Sequence, residues 1–288
     1  MYTVHKMPGT EKTVLGEGIW WDESRRVFRY VDILSGAVCS ADPVTGRFRK
    51  LSLSETVGCI LPGPDGSIGI PLRDGLYSYC PEDGSVEKRY TWSIPPAVRF
   101  NDGKCDRNGR LWIGTMYLDQ SSPDARKGGA LYTFTPQDGL KKVRDNMGIP
   151  NGLAFSADDT VMYHIDTAAQ CVTAYEYDIA DGTISAPRVA VRVPKEDGAP
   201  DGMTVDRAGN LWIALWGGGQ VACYNPKTGE KRLSVPIPDA LVSCCAFGGE
   251  DYRTMAVTTA ADENGDGGYV YTVLPCCEGV APHPIHML

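Results

Sequence analysis

Short apolar runs recur along the whole chain, each closed by a polar turn, and few segments keep the 3.6-residue period of a helix. The runs group into six units, at residues 19–43, 59–80, 105–135, 153–178, 203–225 and 246–273. Within a unit, strand-like segments such as Val161-Met162-Tyr163-His164-Ile165 are bounded by clusters of Gly, Asp, Asn and Ser. The equivalent turns fall near Asp22, Asp65, Arg107, Asp158, Arg207 and Glu250, a period of about 40–50 residues.

Two units contain near copies of one segment. Asp106-Arg107-Asn108-Gly109-Arg110-Leu111-Trp112-Ile113 returns as Asp206-Arg207-Ala208-Gly209-Asn210-Leu211-Trp212-Ile213. Repetition at this period predicts an all-β fold made from copies of one four-stranded unit. The expected architecture is a six-bladed β-propeller with a central channel, one domain over residues 1–288. Two stacked β-sandwiches are the rival, because the same strand-and-turn spacing serves any all-β fold. Trp112 and Trp212 occupy matching positions and are expected to pack between blades. Two polar insertions, residues 117–129 and 194–200, stand out, and the first is placed to rim one mouth of the ring.

Composition narrows the classes. Hydrophobic residues make up 42% and charged residues 22%, the balance of an ordinary globular protein. The net charge of −8, with no cluster of Lys or Arg, argues against a nucleic-acid partner. No apolar run reaches the length of a signal peptide or a membrane span, so a cytoplasmic protein is expected. The ten cysteines are then reduced thiols. Cys244-Cys245 and Cys276-Cys277 are adjacent pairs rather than the spaced pairs of a zinc site.

The candidate chemistry lies just before the inner strand of four units. Glu17, Asn101, Asn151 and Asp201 each stand at this point, with Gly one or two residues later. Glycine there can take φ > 0 and let the backbone approach a ligand. The set of carboxylates and amides offers oxygen donors, suited to a hard divalent cation: Ca²⁺ first, with Mn²⁺, Mg²⁺ and Zn²⁺ as alternatives. Two carboxylates facing each other across a channel repel unless a cation lies between them. Arg99 is two residues from Asn101, and strand alternation sends it to the same face, where it suits a substrate oxygen. Asp119, in the first insertion, is placed to hydrogen-bond sugar hydroxyls. Other constellations fail: there is no Gly-x-Ser-x-Gly elbow, Walker loop or dinucleotide fingerprint. His164 reads as a core histidine inside an apolar strand. The acidic stretch from Asp262 to Gly268 lacks the register of a calcium loop and reads as a hairpin turn.

In order along the chain, Gly16-Glu17-Gly18, Arg99-Phe100-Asn101-Asp102-Gly103-Lys104, Gly114-Thr115-Met116, Pro150-Asn151-Gly152-Leu153-Ala154-Phe155-Ser156, Pro200-Asp201-Gly202-Met203 and Phe247-Gly248-Gly249 resemble the SMP-30/gluconolactonase family, the regucalcin-like sugar lactonases. The resemblance runs over nearly the whole chain. It implies one divalent metal in the channel, held by Glu17, Asn151 and Asp201. Arg99 and Asn101 would bind substrate, and Asp119 stands where an acidic lid residue contacts sugar hydroxyls. The activity implied is opening of a sugar lactone to its aldonic acid, with Asp201 also accepting the proton of the attacking water. No obligatory protein partner is inferred. The chain departs from the family pattern at Ile19, where Pro is usual, and in the loop after Met116. An organophosphate or aryl-ester hydrolase on the same metal, and a calcium-binding propeller without turnover, are the alternatives.

Overall fold

The computed structural model describes residues 2–274 and 277–286. Among the described residues twenty-four strands form six four-stranded antiparallel sheets, the six-bladed propeller expected from the repeat. Five blades are continuous in sequence, at residues 16–52, 61–91, 98–147, 150–192 and 199–236. Their innermost strands are Gly16–Asp22, Leu61–Pro62, Val98–Cys105, Pro150–Phe155 and Ala199–Val205.

The sixth blade closes the ring. Its inner three strands are Val242–Gly248, Thr254–Thr259 and Tyr271–Leu274, and its outermost is the N-terminal Thr3–Lys6. Thr3 pairs with Leu274 and Lys6 with Tyr271, so the two ends of the chain share one sheet. Backbone pairing here satisfies an edge that would otherwise be open.

Each blade is buried on both faces by its neighbours, which is why the second strands, such as Leu111–Tyr117 and Leu211–Trp216, read as unbroken apolar runs. Trp112 packs with Leu131, Phe155, Met162 and Tyr177 between the third and fourth blades. Trp212 packs against Phe247 between the fifth and sixth. The sequence units stop short of the outer strands. Phe48–Ser52, Val86–Thr91, Gly139–Met147, Thr183–Arg192 and Lys231–Pro236 are largely solvent-facing and carry a polar pattern that hides them.

Residues 277–286 cross the end of the ring where the inner hairpins turn. Gly279 bridges Asp206 and donates to the Tyr252 carbonyl at 2.9 Å, while Ile285 donates to the Pro62 carbonyl at 2.8 Å. Cys39, Cys59, Cys80, Cys105, Cys171, Cys223, Cys244 and Cys245 are free thiols, and Cys276 lies outside the described residues. The turn at Asp262 is as expected: its carboxylate accepts from the amides of Asn264 and Asp266 at 2.9 Å, and Ala261 bridges Gly267. Among the described residues no helix is long and apolar enough to cross a membrane.

Candidate functional site

The inner strands share one irregularity. In the third, fourth and fifth blades two residues oppose one on the second strand: Asn101 and Asp102, Asn151 and Gly152, Asp201 and Gly202. The first blade has the same shift directly after Glu17, and the sixth has one at Ser243. A β-bulge bends its strand and re-aims a side chain. In the first, third, fourth and fifth blades one candidate residue, Glu17, Asn101, Asn151 or Asp201, lies at or directly beside the shift.

The glycines beside these residues have a different cause from the one expected. Only Gly18 takes a positive φ, of 57°. Gly152 and Gly202 are needed because the next inner strand lies against them. A Cβ on Gly152 would sit 2.6 Å from the Cβ of Met203, and one on Gly202 would sit 2.6 Å from Sγ of Cys244. Close approach of neighbouring strands around the axis, not backbone handedness, demands glycine at these two places.

The structure brings Glu17, Arg99, Asn101, Asn151 and Asp201 together, all buried. Arg99 Nη1 donates to Oδ1 of Asn101 at 2.7 Å and to the Phe100 carbonyl at 2.9 Å. Asn101 Nδ2 donates to the Pro150 carbonyl at 3.0 Å. Asn151 Nδ2 donates to Oγ1 of Thr167 at 3.1 Å, and Thr167 donates to the Pro200 carbonyl at 2.7 Å. Ser243 Oγ donates to the Gly16 carbonyl. Gly16, Pro150 and Pro200 immediately precede Glu17, Asn151 and Asp201, so a side chain from elsewhere in the ring braces the backbone before each.

Electrostatics also converge here. Burial, then the charge of Asp102, pushes the Glu17 carboxyl up to about 8. Asp201 is held well above the usual carboxylate range by burial and by the charges of Glu17 and Asp102. Burial lowers the Arg99 guanidinium, and the carboxylates of Glu17 and Asp201 oppose that shift. Burial raises Asp102, while Lys104 and the Gly103 amide, which donates at 2.8 Å, pull it back. The oxygen Oδ1 of Asn151 is buried and has no hydrogen-bond partner among the described residues. Among the described residues no three His, Cys, Asp or Glu side chains gather around one point, so the candidate set is two carboxylates and an amide.

Asp119 is elsewhere. It is exposed, and its carboxylate accepts from the amide and hydroxyl of Ser121 at 2.9 and 2.6 Å, holding the loop in a local turn. Asp102, Thr167 and Ser243 were not singled out from the sequence. Asp102 sits inside the Asn-Asp-Gly step itself, where the bulge was the available signal. It also lines a cavity of about 100 Å³ with Trp20, Lys104, Thr204 and Cys245. His164 is buried, with both ring nitrogens unpartnered, as a core histidine.

A propeller whose inner strands bulge to gather carboxylates, amides and an arginine on its axis defines a class, and the sequence places the chain within it. Residues 15–261 match the SMP-30/Gluconolactonase/LRE-like region, and the chain belongs to this family. It is 35% identical to "Putative sugar lactone lactonase YvrE" of Bacillus subtilis (strain 168), over 88% of this chain and 85% of that protein. Among solved structures it resembles a luciferin-regenerating enzyme, at 29% identity and a TM-score of 0.92, covering 99% of this chain and 100% of that one. It also resembles regucalcin from Agrobacterium tumefaciens, described as a calcium-binding protein. That match has 25% identity and a TM-score of 0.89, covering 99% of this chain and 98% of that one.

Proposed function

We propose that this protein is a divalent-cation-dependent hydrolase that opens a sugar lactone to its aldonic acid. The observation that carries the proposal is the buried, unpartnered Oδ1 of Asn151 beside two carboxylates whose proton affinity is raised first by burial and then by neighbouring negative charge, that of Asp102 acting on both. An unsatisfied buried oxygen and a pair of crowded carboxylates are each costly, and one cation relieves both. The donors are all hard oxygens, so Ca²⁺, Mg²⁺ or Mn²⁺ suits them, and Zn²⁺ is also accommodated. Glu17, Asn151 and Asp201 would hold it. When bound, the cation supplies Lewis-acid polarisation of the lactone carbonyl.

The chain's own residues do the rest. Arg99 and Asn101 hold each other at 2.7 Å and orient the lactone by its oxygens. Asp201 accepts the proton of the attacking water at a carboxylate oxygen as the new C–O bond forms. The ring C–O bond then breaks, and that proton passes to the departing ring oxygen, leaving a hydroxy acid. Asp119 would need to leave its turn with Ser121 to reach a sugar hydroxyl. The calcium-binding description of the Agrobacterium relative fits the same donor set. A pure calcium store, however, has no use for a buried arginine beside the site, a group suited to contact a substrate oxygen.

A panel of γ- and δ-aldonolactones, followed by acid release, tests the proposal. The protein should be inactive after chelation and recover with one added ion at a time. Unchanged turnover in chelator, or no turnover on any lactone with any of the four ions, would overturn it. Faster hydrolysis of a phosphotriester or aryl ester than of any lactone would reassign the substrate.

A further inference from the structure

We infer that Thr167 is the positioning residue that sets which atom of Asn151 faces the cation; this rests on the cation site proposed above. A hydroxyl has one hydrogen to give and two lone pairs to offer. Thr167 gives its hydrogen to the Pro200 carbonyl at 2.7 Å. Toward Asn151 it can only accept, so the atom at 3.1 Å must be the Nδ2 donor. The amide also hydrogen-bonds the Asp201 carboxylate, which can only accept, while its other end, Oδ1, is buried and has no hydrogen-bond partner among the described residues. With the amide reversed, Oδ1 would meet a lone pair of Thr167 and the NH₂ group would point at the cation.

The same hydroxyl ties two candidate ligands together, because Pro200 precedes Asp201 in the inner strand of the fifth blade. The threonine is itself held rigidly. It opens the short turn Thr167–Ala169, and its amide donates to the Ile149 carbonyl at 3.0 Å. The carboxylate of Asp166 accepts from the amides of Gly148, Ile149 and Ala168 at 3.1, 2.9 and 3.2 Å. This anchors the turn to the chain leading into Pro150 and Asn151. Partners of this kind, one bond removed from a ligand, orient it and tune its affinity.

The test compares the full chain with Thr167→Val, which removes the hydroxyl and keeps the shape, and Thr167→Ser, which keeps the hydroxyl. Thr167→Ala removes it a second way. Binding of Ca²⁺ and Mn²⁺ is followed by calorimetry and by the rise in melting temperature on adding the ion. Thr167→Val and Thr167→Ala should bind about 10–100-fold more weakly, the loss usual for such partners. Thr167→Ser should stay within about threefold of the parent, since the same donor and acceptor remain. The Val and Ala variants should melt somewhat lower without metal, because the carbonyl of the buried Pro200 loses its donor, so affinities are compared by calorimetry well below each melting point. Parent-like affinity in the Val and Ala variants would overturn the inference and leave the cation site standing. So would an equal loss in the Ser variant. A parent chain that takes up no divalent ion would instead remove the site itself.

Discussion

Asn101 donates through its side-chain amide to the carbonyl of Pro150, the residue immediately before Asn151. One side chain of the third blade thus fixes the backbone that aims a side chain of the fourth. The bond gives Asn101 a task besides the substrate contact proposed for it. Asn101→Asp keeps the size but places a carboxylate oxygen against a carbonyl that has lost its donor. Leaving such a buried acceptor unpaired costs about 1–3 kcal/mol. Asn101→Asp should therefore lower lactone kcat/KM at least as far as Asn101→Ala. Steady-state kinetics on both variants would decide, and retained activity in Asn101→Asp would show that the brace to Pro150 is dispensable.

Asp201 carries the heaviest chemical demand in the proposed reaction, as both candidate ligand and proposed proton acceptor. Asp201→Asn keeps one oxygen for the ion and removes the base. Loss of a general base costs typically 10²–10⁴-fold in rate. Turnover should fall by that range while calorimetry still detects some cation binding. A variant within about tenfold of the parent would move the base elsewhere, since that lies below the range for such a loss.

Glycine offers a contrast that separates two physical causes. Gly202 has ordinary backbone angles but no room, whereas Gly209 has φ of 82° and nothing within 4 Å of an added Cβ. Gly202→Ala should cost about 1–3 kcal/mol by overpacking against Cys244. Gly209→Ala should cost about 1 kcal/mol or more through backbone strain alone. The Gly202 loss should shrink when Cys244 is shortened to Ala, and the Gly209 loss should not. Urea unfolding of the single and double variants measures both.

These contrasts explain what the sequence could and could not reveal. The six-blade repeat was visible because inner hairpins need apolar strands and short polar turns, and both leave a local signature. Glu17, Asn101, Asn151 and Asp201 stood out because each sits at a bulge repeated from blade to blade. The outer strands did not, because solvent sets their residues. Nor did the pairing of Thr3 with Leu274, which joins opposite ends of the chain and has no local pattern. Thr167 belongs to a turn, and its importance arises from two partners, one 16 and one 33 positions away. Asp119 shows the reverse case: its position in the motif order suggested a role, while the loop folds its carboxylate onto Ser121.

The closing strand makes a prediction of its own. Removing residues 1–7 would uncover the edge of Tyr271–Leu274 and the apolar residues beneath it. Open edges invite pairing with another chain. The shortened protein should melt at a lower temperature and scatter light as it is concentrated, and a synthetic peptide of the missing residues should reverse both effects. A shortened chain that melts like the parent would show that the ring does not need this closure.

His164 gives the acid limit of the fold. It lies inside the second strand of the fourth blade, and burial, aided by the charge of Arg144, pushes its imidazole down to about 3 from 6.5. The unfolded chain therefore binds a proton near pH 6.5, while the folded chain refuses it until about pH 3. Between those values the unfolded state holds more protons, so stability falls as pH falls. The contribution is fully present above pH 6.5 and is lost on the way down to about 3, on the order of 5 kcal/mol in all. Neither ring nitrogen has a hydrogen-bond partner, so His164→Leu breaks none. The Leu variant should be at least as stable as the parent at pH 8, since it removes two unsatisfied buried nitrogens, and its advantage should widen progressively below pH 6. Urea midpoints measured from pH 8 to pH 4 give the comparison, and parallel curves for the two proteins would place the acid sensitivity in some other group.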